Sequence, residues 1–296
     1  MPSEKPAKNS IAGGMRQAAR SILNKIPLPS KKNLADMLCA TMAITGILIM
    51  AARLPQMHDK YLRSSVGSKV YKIQAKLDGG GGTGFQVRAP SGTNYVLTNA
   101  HVCEAVAHYD APENAGTALL VNDDGSWIRR RIIAVSDQSD LCLIEGAPGV
   151  NGLSLGSEPH MGEELTVVGH PHLRPLTLSA GDLIGSQTIK IPKFIIGVEG
   201  LDPFLMTMVE VHPELPCNQP KQEIDIFQED GVKITACMDV TTDAYLTSAV
   251  IYPGNSGSPV VNWYGNVVGV AFATDPSDHY GDVVSLHDIK TFLSHY

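Results

Sequence analysis

From about Val66 to the C-terminus the chain is written in short apolar or alternating runs, each closed within a few residues by glycine, proline or an Asp-Gly or Gly-Asn pair. Such runs favour short strands over long helices. They read as strands: Val70–Leu77, Thr83–Arg88, Tyr95–Thr98, Ala118–Val121, Ile128–Val135, Leu141–Glu145, Glu164–Gly169, Leu176–Ile184, Phe194–Val198, Leu205–Val211, Ala244–Thr247, Pro259–Asn262 and Val267–Phe272. Asn122-Asp123-Asp124-Gly125 and Tyr264-Gly265-Asn266 have the composition of hairpin turns. The 28 glycines and 19 prolines agree with a turn-rich chain. The pattern predicts an all-β sandwich or barrel. The last stretch, Leu286–His295, has the apolar spacing of a short terminal helix, with Leu286, Ile289, Phe292 and Leu293 on one face. Residues 199–243 fit the strand pattern less well. Pro203, Pro213, Pro216, Pro220 and an acidic stretch (Glu223, Asp225, Glu229, Asp230) predict an insertion of loops and one hairpin.

Upstream of residue 66 the texture differs. Residues 1–33 are polar, basic and broken by Pro27 and Pro29, which predicts a flexible tail. Residues 34–54 hold an uncharged run from Met37 to Ala52, and residues 55–66 read as a linker to a domain over 67–296. Eight Lys/Arg face only Glu4 and Asp36 within residues 1–54, so this head carries +6 against −7 for the whole chain. The remainder is therefore acidic, at −13, which argues against nucleic acid as a partner. A basic head before an apolar run is a targeting arrangement. Leu34–Leu54 is close to the ~20 residues that span hydrocarbon, although the uncharged part alone reaches only about 24 Å as a helix. Met50-Ala51-Ala52 fits a signal cleavage site poorly at its first position. The favoured expectation is an uncleaved membrane anchor with the amino end cytoplasmic and the following domain exported. A cleaved signal peptide and a buried helix stay open as alternatives.

Cys39 lies in the apolar run; Cys103, Cys142, Cys217 and Cys237 follow it. Four cysteines allow three pairings, and the sequence does not choose among them or against free thiols. His170 and His172 flank Pro171, but no Cys or carboxylate cluster completes a metal site around them, so no metal and no cofactor is expected.

The chemistry-bearing residues fall in three blocks. In Tyr252-Pro253-Gly254-Asn255-Ser256-Gly257-Ser258-Pro259, glycines flank a serine between strand signals. A nucleophilic serine needs a tight turn with backbone N–H groups facing the developing oxyanion, and glycines permit both the turn and the close approach of substrate. Gly254 and Ser256 are the expected oxyanion-hole donors. The second block, Asn94–Cys103, runs a buried strand into His101. The third, Asp137–Glu145, places Asp140 at the start of an apolar strand, where a buried carboxylate needs a donor such as an imidazole N–H. Taken singly, each has a plain reading as a turn serine, a structural histidine and a strand-start aspartate. Taken together, their order is His, Asp, Ser, the order of chymotrypsin-like enzymes.

Thr83-Gly84-Phe85, Val96–Val102, Ser139–Leu143, Val167–Pro171, Leu178–Gly181 and Thr247–Gly257 resemble, in order, the corresponding blocks of bacterial trypsin-like proteases of the HtrA type. The resemblance covers residues 66–296 with a gap over 199–243. It implies two antiparallel β-barrels packed side by side, here with an N-terminal apolar helix and a short C-terminal helix. It implies a serine endopeptidase acting on polypeptides, with His101, Asp140 and Ser256 as catalytic triad. The PDZ domain that commonly follows in HtrA proteins has no counterpart in these residues, and Ser258 stands where that family usually has glycine. The nucleophile block also resembles glutamyl endopeptidases, but Ala271 falls where those enzymes carry a pocket histidine. The expected pocket residues are Val250, Ile251, Tyr252, Ala271 and Ala273. None is charged, so the expectation is cleavage after small or medium aliphatic residues. The rival readings are a catalytically silent, membrane-tethered peptide-binding module on the same fold and a viral enzyme that processes its own precursor.

Overall fold

Most of the strands are short apolar runs buried along nearly their whole length, and the register shows which residues fill each barrel. The structure is a computed structural model describing residues 34–77, 80–109, 114–136, 138–199, 223–229, 232–274 and 280–296. The chain divides into two units, Met1–Leu62 and Arg63–Tyr296. The expected basic tail (1–33) and the expected strand Leu205–Val211 lie outside the described residues.

In the first unit, the described residues belong to one helix, α1 (Leu34–Ser65). It does not end with the apolar run. It continues through Pro55 and a segment carrying Asp59, Lys60 and Arg63, so most of the stretch expected as linker is helical. Among the described residues, no helix is long and apolar enough to cross a membrane. The expected span over 34–54 therefore draws no support from the structure.

The second unit contains two closed barrels. The first comprises β1 (Val70–Gln74), β2 (Gly81–Arg88), β3 (Asn94–Thr98), β4 (Thr117–Val121), β5 (Trp127–Val135) and β6 (Cys142–Glu145). They pair antiparallel in the order β1-β2-β3-β6-β5-β4, and β1 closes on β4 through Lys72↔Val121 and Ile73↔Leu120. Its core includes Ile73, Val96, Leu120 and Ile144, none of them exposed. Burying such side chains contributes roughly 1.5–3 kcal/mol each.

The second sheet comprises β7 (Glu164–Gly169), β8 (Thr177–Glu199), β9 (Glu223–Glu229), β10 (Val232–Thr247), β11 (Pro259–Val261), β12 (Val267–Thr274) and β13 (Gly281–Ser285). Its order is β13-β12-β11-β7-β8-β10-β9, and an additional β10–β13 pairing closes six of the strands into a barrel. Leu165, Val167, Val260, Val268 and Val283 pack inside it. Leu176–Ile184 and Phe194–Val198, expected as separate strands, belong to the single strand β8, which pairs with β10 as far as Lys233↔Glu199. The β9–β10 hairpin occupies the latter part of the segment read as an insertion.

Two helices complete the unit. In α2 (Ala100–Tyr109), Val102, Cys103 and Val106 turn inward to the first barrel's core. In α3 (Leu286–Leu293), the Ser285 side chain accepts from the Asp288 N–H at 3.1 Å and caps the helix; Leu286, Ile289, Phe292 and Leu293 are buried.

Candidate active site

His101 sits where β3 gives way to α2. The inward positions of α2 are taken by Val102, Cys103 and Val106, which leaves the His101 side chain about half exposed, at 46%. Its Nδ1 lies 2.7 Å from Asp140 Oδ2, and its backbone N–H donates to Asp140 Oδ1 at 3.0 Å. Asn99 adds a third tie, donating from Nδ2 to the Asp140 carbonyl at 2.8 Å. The Asp140 side chain is only 2% exposed, so both carboxylate oxygens find donors that replace the lost water. A carboxylate can only accept. In neutral His101 the proton therefore sits on Nδ1, and Nε2 keeps its lone pair. Burial pulls the imidazole pKa down, but the Asp140 hydrogen bond and charge, with Glu104 nearby, outweigh it and leave the pKa above its ordinary value.

Cys103 and Cys142 are joined by a disulfide. Both half-cystines are buried in the first barrel's core. The structure thus supplies the pairing that the sequence left open between these two residues. Cys217 lies outside the described residues, as does the Cys237 side chain.

Ser256 occupies a turn whose backbone hydrogen bonds alternate. The Asn255 N–H donates to the Tyr252 carbonyl at 2.9 Å, Gly257 to Ala271 at 2.8 Å, and Ser258 to Asn255 at 2.8 Å. Among the described residues, the Gly254 and Ser256 N–H groups, those expected to bind an oxyanion, make no such bond. Gly254 and Gly257 both have left-handed φ values, +91° and +87°. A Cβ on Gly257 would lie 2.0 Å from the Thr83 carbonyl oxygen, and one on Gly254 would lie 2.7 Å from His172 N. Both positions therefore require glycine. The Ser256 hydroxyl donates to the Phe272 carbonyl at 3.2 Å. It has one proton, so in this conformation it does not donate to His101.

The turn following β7 lies against the nucleophile loop. His172 and Leu173 adopt left-handed φ values of 53° and 56°, which costs about 1–2 kcal/mol per non-glycine residue. In that conformation the His172 N–H donates to the Pro253 carbonyl at 2.6 Å. His170 is fully buried; its Nδ1 lies 3.0 Å from the Arg174 carbonyl oxygen and 3.7 Å from Asp123. Burial holds the His170 pKa below the usual imidazole value, against the pull of those two partners.

The expected pocket residues separate. Val250 and Tyr252 are exposed. Ile251 and Ala271 are buried in the core of the second barrel. Ala273 lies on β12, with its side chain outside the described residues. Among the described residues, no group of His, Cys, Asp or Glu is arranged to hold a metal ion. Thr83, Asn99 and the Phe272 carbonyl also meet the site, and sequence reasoning assigned none of them a part. Thr83 and Asn99 fall within the blocks that resemble known proteases. The only sequence signal of a part was that each is a polar residue beside a buried strand.

An Asp–His pair and a glycine-flanked serine on a two-barrel scaffold define the serine peptidase class. The trypsin-like peptidase domain family matches residues 82–270, more than half of the chain, and the chain belongs to that family. It is a serine endopeptidase of trypsin-like fold. No curated protein sequence matches it. The fold is similar to that of the Rv3671c protease in its inactive form, with a TM-score of 0.54 at 17% identity over 81% of this chain and 95% of that one. The active form of Rv3671c protease from M. tuberculosis gives 0.54 at 18% identity, over 81% and 86%. The serine endoprotease from Yersinia pestis gives 0.50 at 14% identity, over 80% and 65%.

Proposed function

We propose that Ser256, His101 and Asp140 form the catalytic triad of this endopeptidase, with the Gly254 and Ser256 N–H groups as its oxyanion hole. The observation that carries the reading is the Nδ1–Oδ2 contact of 2.7 Å between a half-exposed imidazole and a buried carboxylate. That contact leaves His101 Nε2 unprotonated and able to act as a base. Turning the Ser256 hydroxyl from the Phe272 carbonyl to Nε2 starts the reaction. Ser256 Oγ attacks the scissile carbonyl while His101 takes its proton, and the tetrahedral oxyanion accepts from Gly254 and Ser256. His101 then protonates the leaving amine, and water repeats the cycle on the acyl-enzyme. Each oxyanion donor contributes on the order of 3 kcal/mol to the barrier reduction.

The substrate reading is cleavage after small or medium aliphatic residues, supported by the absence of charge at Val250, Tyr252 and Ala273, the expected pocket residues not committed to the barrel core. Display outside the cytoplasm is supported by the basic head before the apolar run and by the Cys103–Cys142 disulfide, a bond that persists in oxidising compartments. Tethering through residues 34–54 rests on the sequence alone.

Labelling with a serine-reactive fluorophosphonate tests the triad. Native protein should label, and Ser256→Ala should not. Ser256→Ala and His101→Ala should each lower peptide hydrolysis by several orders of magnitude while staying folded, and Asp140→Asn by about 10⁴. Near-native turnover in a folded Ser256→Ala protein would exclude the assignment.

A further inference from the structure

Thr83 holds both of the residues whose N–H groups the proposed mechanism needs. It lies on β2, fully buried, and the serine turn closes over it. Its hydroxyl donates to the Gly254 carbonyl at 2.7 Å. Its backbone N–H donates to the Ser256 carbonyl at 2.8 Å. Its own carbonyl accepts from the Thr98 hydroxyl at 2.6 Å, which fixes the residue in place. The hydroxyl also accepts from the His170 N–H at 3.1 Å. The bonds therefore run in one direction, from His170 N–H through the Thr83 hydroxyl to the Gly254 carbonyl. Chains of this kind polarise and strengthen one another.

The preceding peptide group is held from the other side. The bond between Pro253 and Gly254 is trans, since the chain has no cis peptide bonds among the described residues. Its carbonyl and N–H therefore point in opposite directions. The His172 N–H holds the Pro253 carbonyl against the strained turn, so the Gly254 N–H faces away from that turn. Were this peptide to rotate by half a turn, the Pro253 carbonyl would lose its bond from the His172 N–H. The 254–255 peptide cannot follow such a rotation without losing the bond from Thr83. His172 and Thr83 thus each hold one of the two peptide groups that meet at Gly254.

We infer that Thr83 is a positioning residue for the oxyanion hole. Its hydroxyl, supported by the 170–173 turn, keeps the Gly254 N–H aimed at the developing charge before substrate arrives. The inference rests on the catalytic reading above. Preorganised donors contribute in the transition state and little in the ground state. Removing the hydroxyl should therefore lower kcat and leave KM nearly unchanged.

The test compares Thr83→Val, which keeps the branched shape without the hydroxyl, with Thr83→Ser, which keeps the hydroxyl in a smaller side chain. Full-length protein and the fluorogenic peptide cut fastest in a mixed library serve as enzyme and substrate, and thermal unfolding is followed alongside. Thr83→Val should lose between about 10- and 100-fold in kcat, below the 10²–10³ seen when a donor itself is removed. Its affinity for a peptide boronate, a mimic of the tetrahedral intermediate, should fall by a similar factor. Thr83→Ser should stay within a few-fold of native protein on both measures. Unchanged kcat and boronate affinity in folded Thr83→Val would overturn the inference, as would equal losses in both variants, which would show a packing role. A Ser256→Ala control separates the two readings. If that control is inactive, a flat Thr83→Val result overturns this inference alone. If it is active, the catalytic reading fails and takes this one with it.

Discussion

Cys103 is disulfide-bonded to Cys142, and each half-cystine stands two residues after a member of the His101–Asp140 pair. The bond ties the first turn of α2 to the start of β6, the two elements whose relative position sets the distance between imidazole and carboxylate.

Breaking that tie should affect both stability and activity. The bridge closes a loop with a sequence separation of 39, for which loop-closure entropy gives a stabilisation of about 4 kcal/mol as an upper figure. The expectation is that the double variant Cys103→Ala/Cys142→Ala unfolds at lower urea concentration than native protein. Reductant should reproduce the effect in native protein and have no effect on the variant. Turnover should fall with either treatment, because a 1 Å displacement of His101 relative to Asp140 is enough to spoil proton transfer. Equal urea midpoints for native and variant protein would show that the bond does not constrain this part of the fold.

The acid limb of the pH–rate profile should lie above the ordinary imidazole value of about 6.5. His101 must be neutral to act as a base, and Asp140 together with Glu104 raises its pKa despite burial. Asp140→Asn removes the largest raising influence and should move the limb of the residual activity downward. The sign for stability is opposite in sense. The folded protein binds a proton on His101 more tightly than the unfolded chain does, so this stabilisation is present below about pH 6.5 and is lost as pH rises through the folded pKa. Kinetic profiles of kcat/KM for the two proteins test the shift, and an unmoved limb in Asp140→Asn would contradict it.

His170 pulls stability the other way. Burial lowers its folded pKa, so it contributes most above the unfolded value of about 6.5, and that contribution is lost as pH falls through the folded value. Asp123 and Lys72 are the charged groups that face it, and the Arg174 carbonyl is the acceptor at its Nδ1. His170→Gln should remove up to about 1.4 kcal/mol per pH unit from the acid-side slope of unfolding free energy. It should also cost some stability at neutral pH, where the imidazole fits its site. Urea unfolding at a series of pH values measures both, and identical slopes would show that His170 does not titrate on unfolding.

The parts of the site that were legible in the sequence are those carried by local spacing. Gly254 and Gly257 around Ser256 signal a turn that only glycine can make, and the Gly257 φ of +87° is what that spacing requires. Asp140 before an apolar run signals a buried carboxylate. Less legible was the element that carries His101. The strand expected over Tyr95–Thr98 ends there as β3, but His101, read as lying where that strand runs out, sits in the first turn of α2, which begins at Ala100. Val102, Cys103 and Val106 already show helical spacing, masked by the strand-like run before them. β13 (Gly281–Ser285) is weakly marked in the sequence, since Val283 and Val284 are its only apolar residues. The Thr83–Gly254 bond joins residues 171 apart, a distance at which no local pattern operates. Long-range hydrogen bonds depend on how the two barrels bring turns together, which composition and periodicity do not encode.

Specificity follows from which pocket positions remain available to substrate. Ile251 and Ala271 are committed to the barrel core, so changes there should act mainly through stability. Val250, 45% exposed, and Tyr252, 51% exposed, remain accessible in the segment leading to Ser256. Neither carries charge. A Lys or Arg side chain buried beside Val250 would find no carboxylate from these residues, and leaving it unpaired costs several kcal/mol. Aliphatic side chains carry no such penalty, and a single methylene alters rates only about 10- to 200-fold, so the preference should be broad. Val250→Asp is the informative variant. A carboxylate at that position should draw cleavage towards Lys and Arg and weaken it after aliphatic residues. Profiling both proteins on a mixed peptide library measures the change. Native cutting confined to Lys, Arg or Glu would exclude the uncharged pocket, and an unshifted Val250→Asp profile would remove Val250 from it.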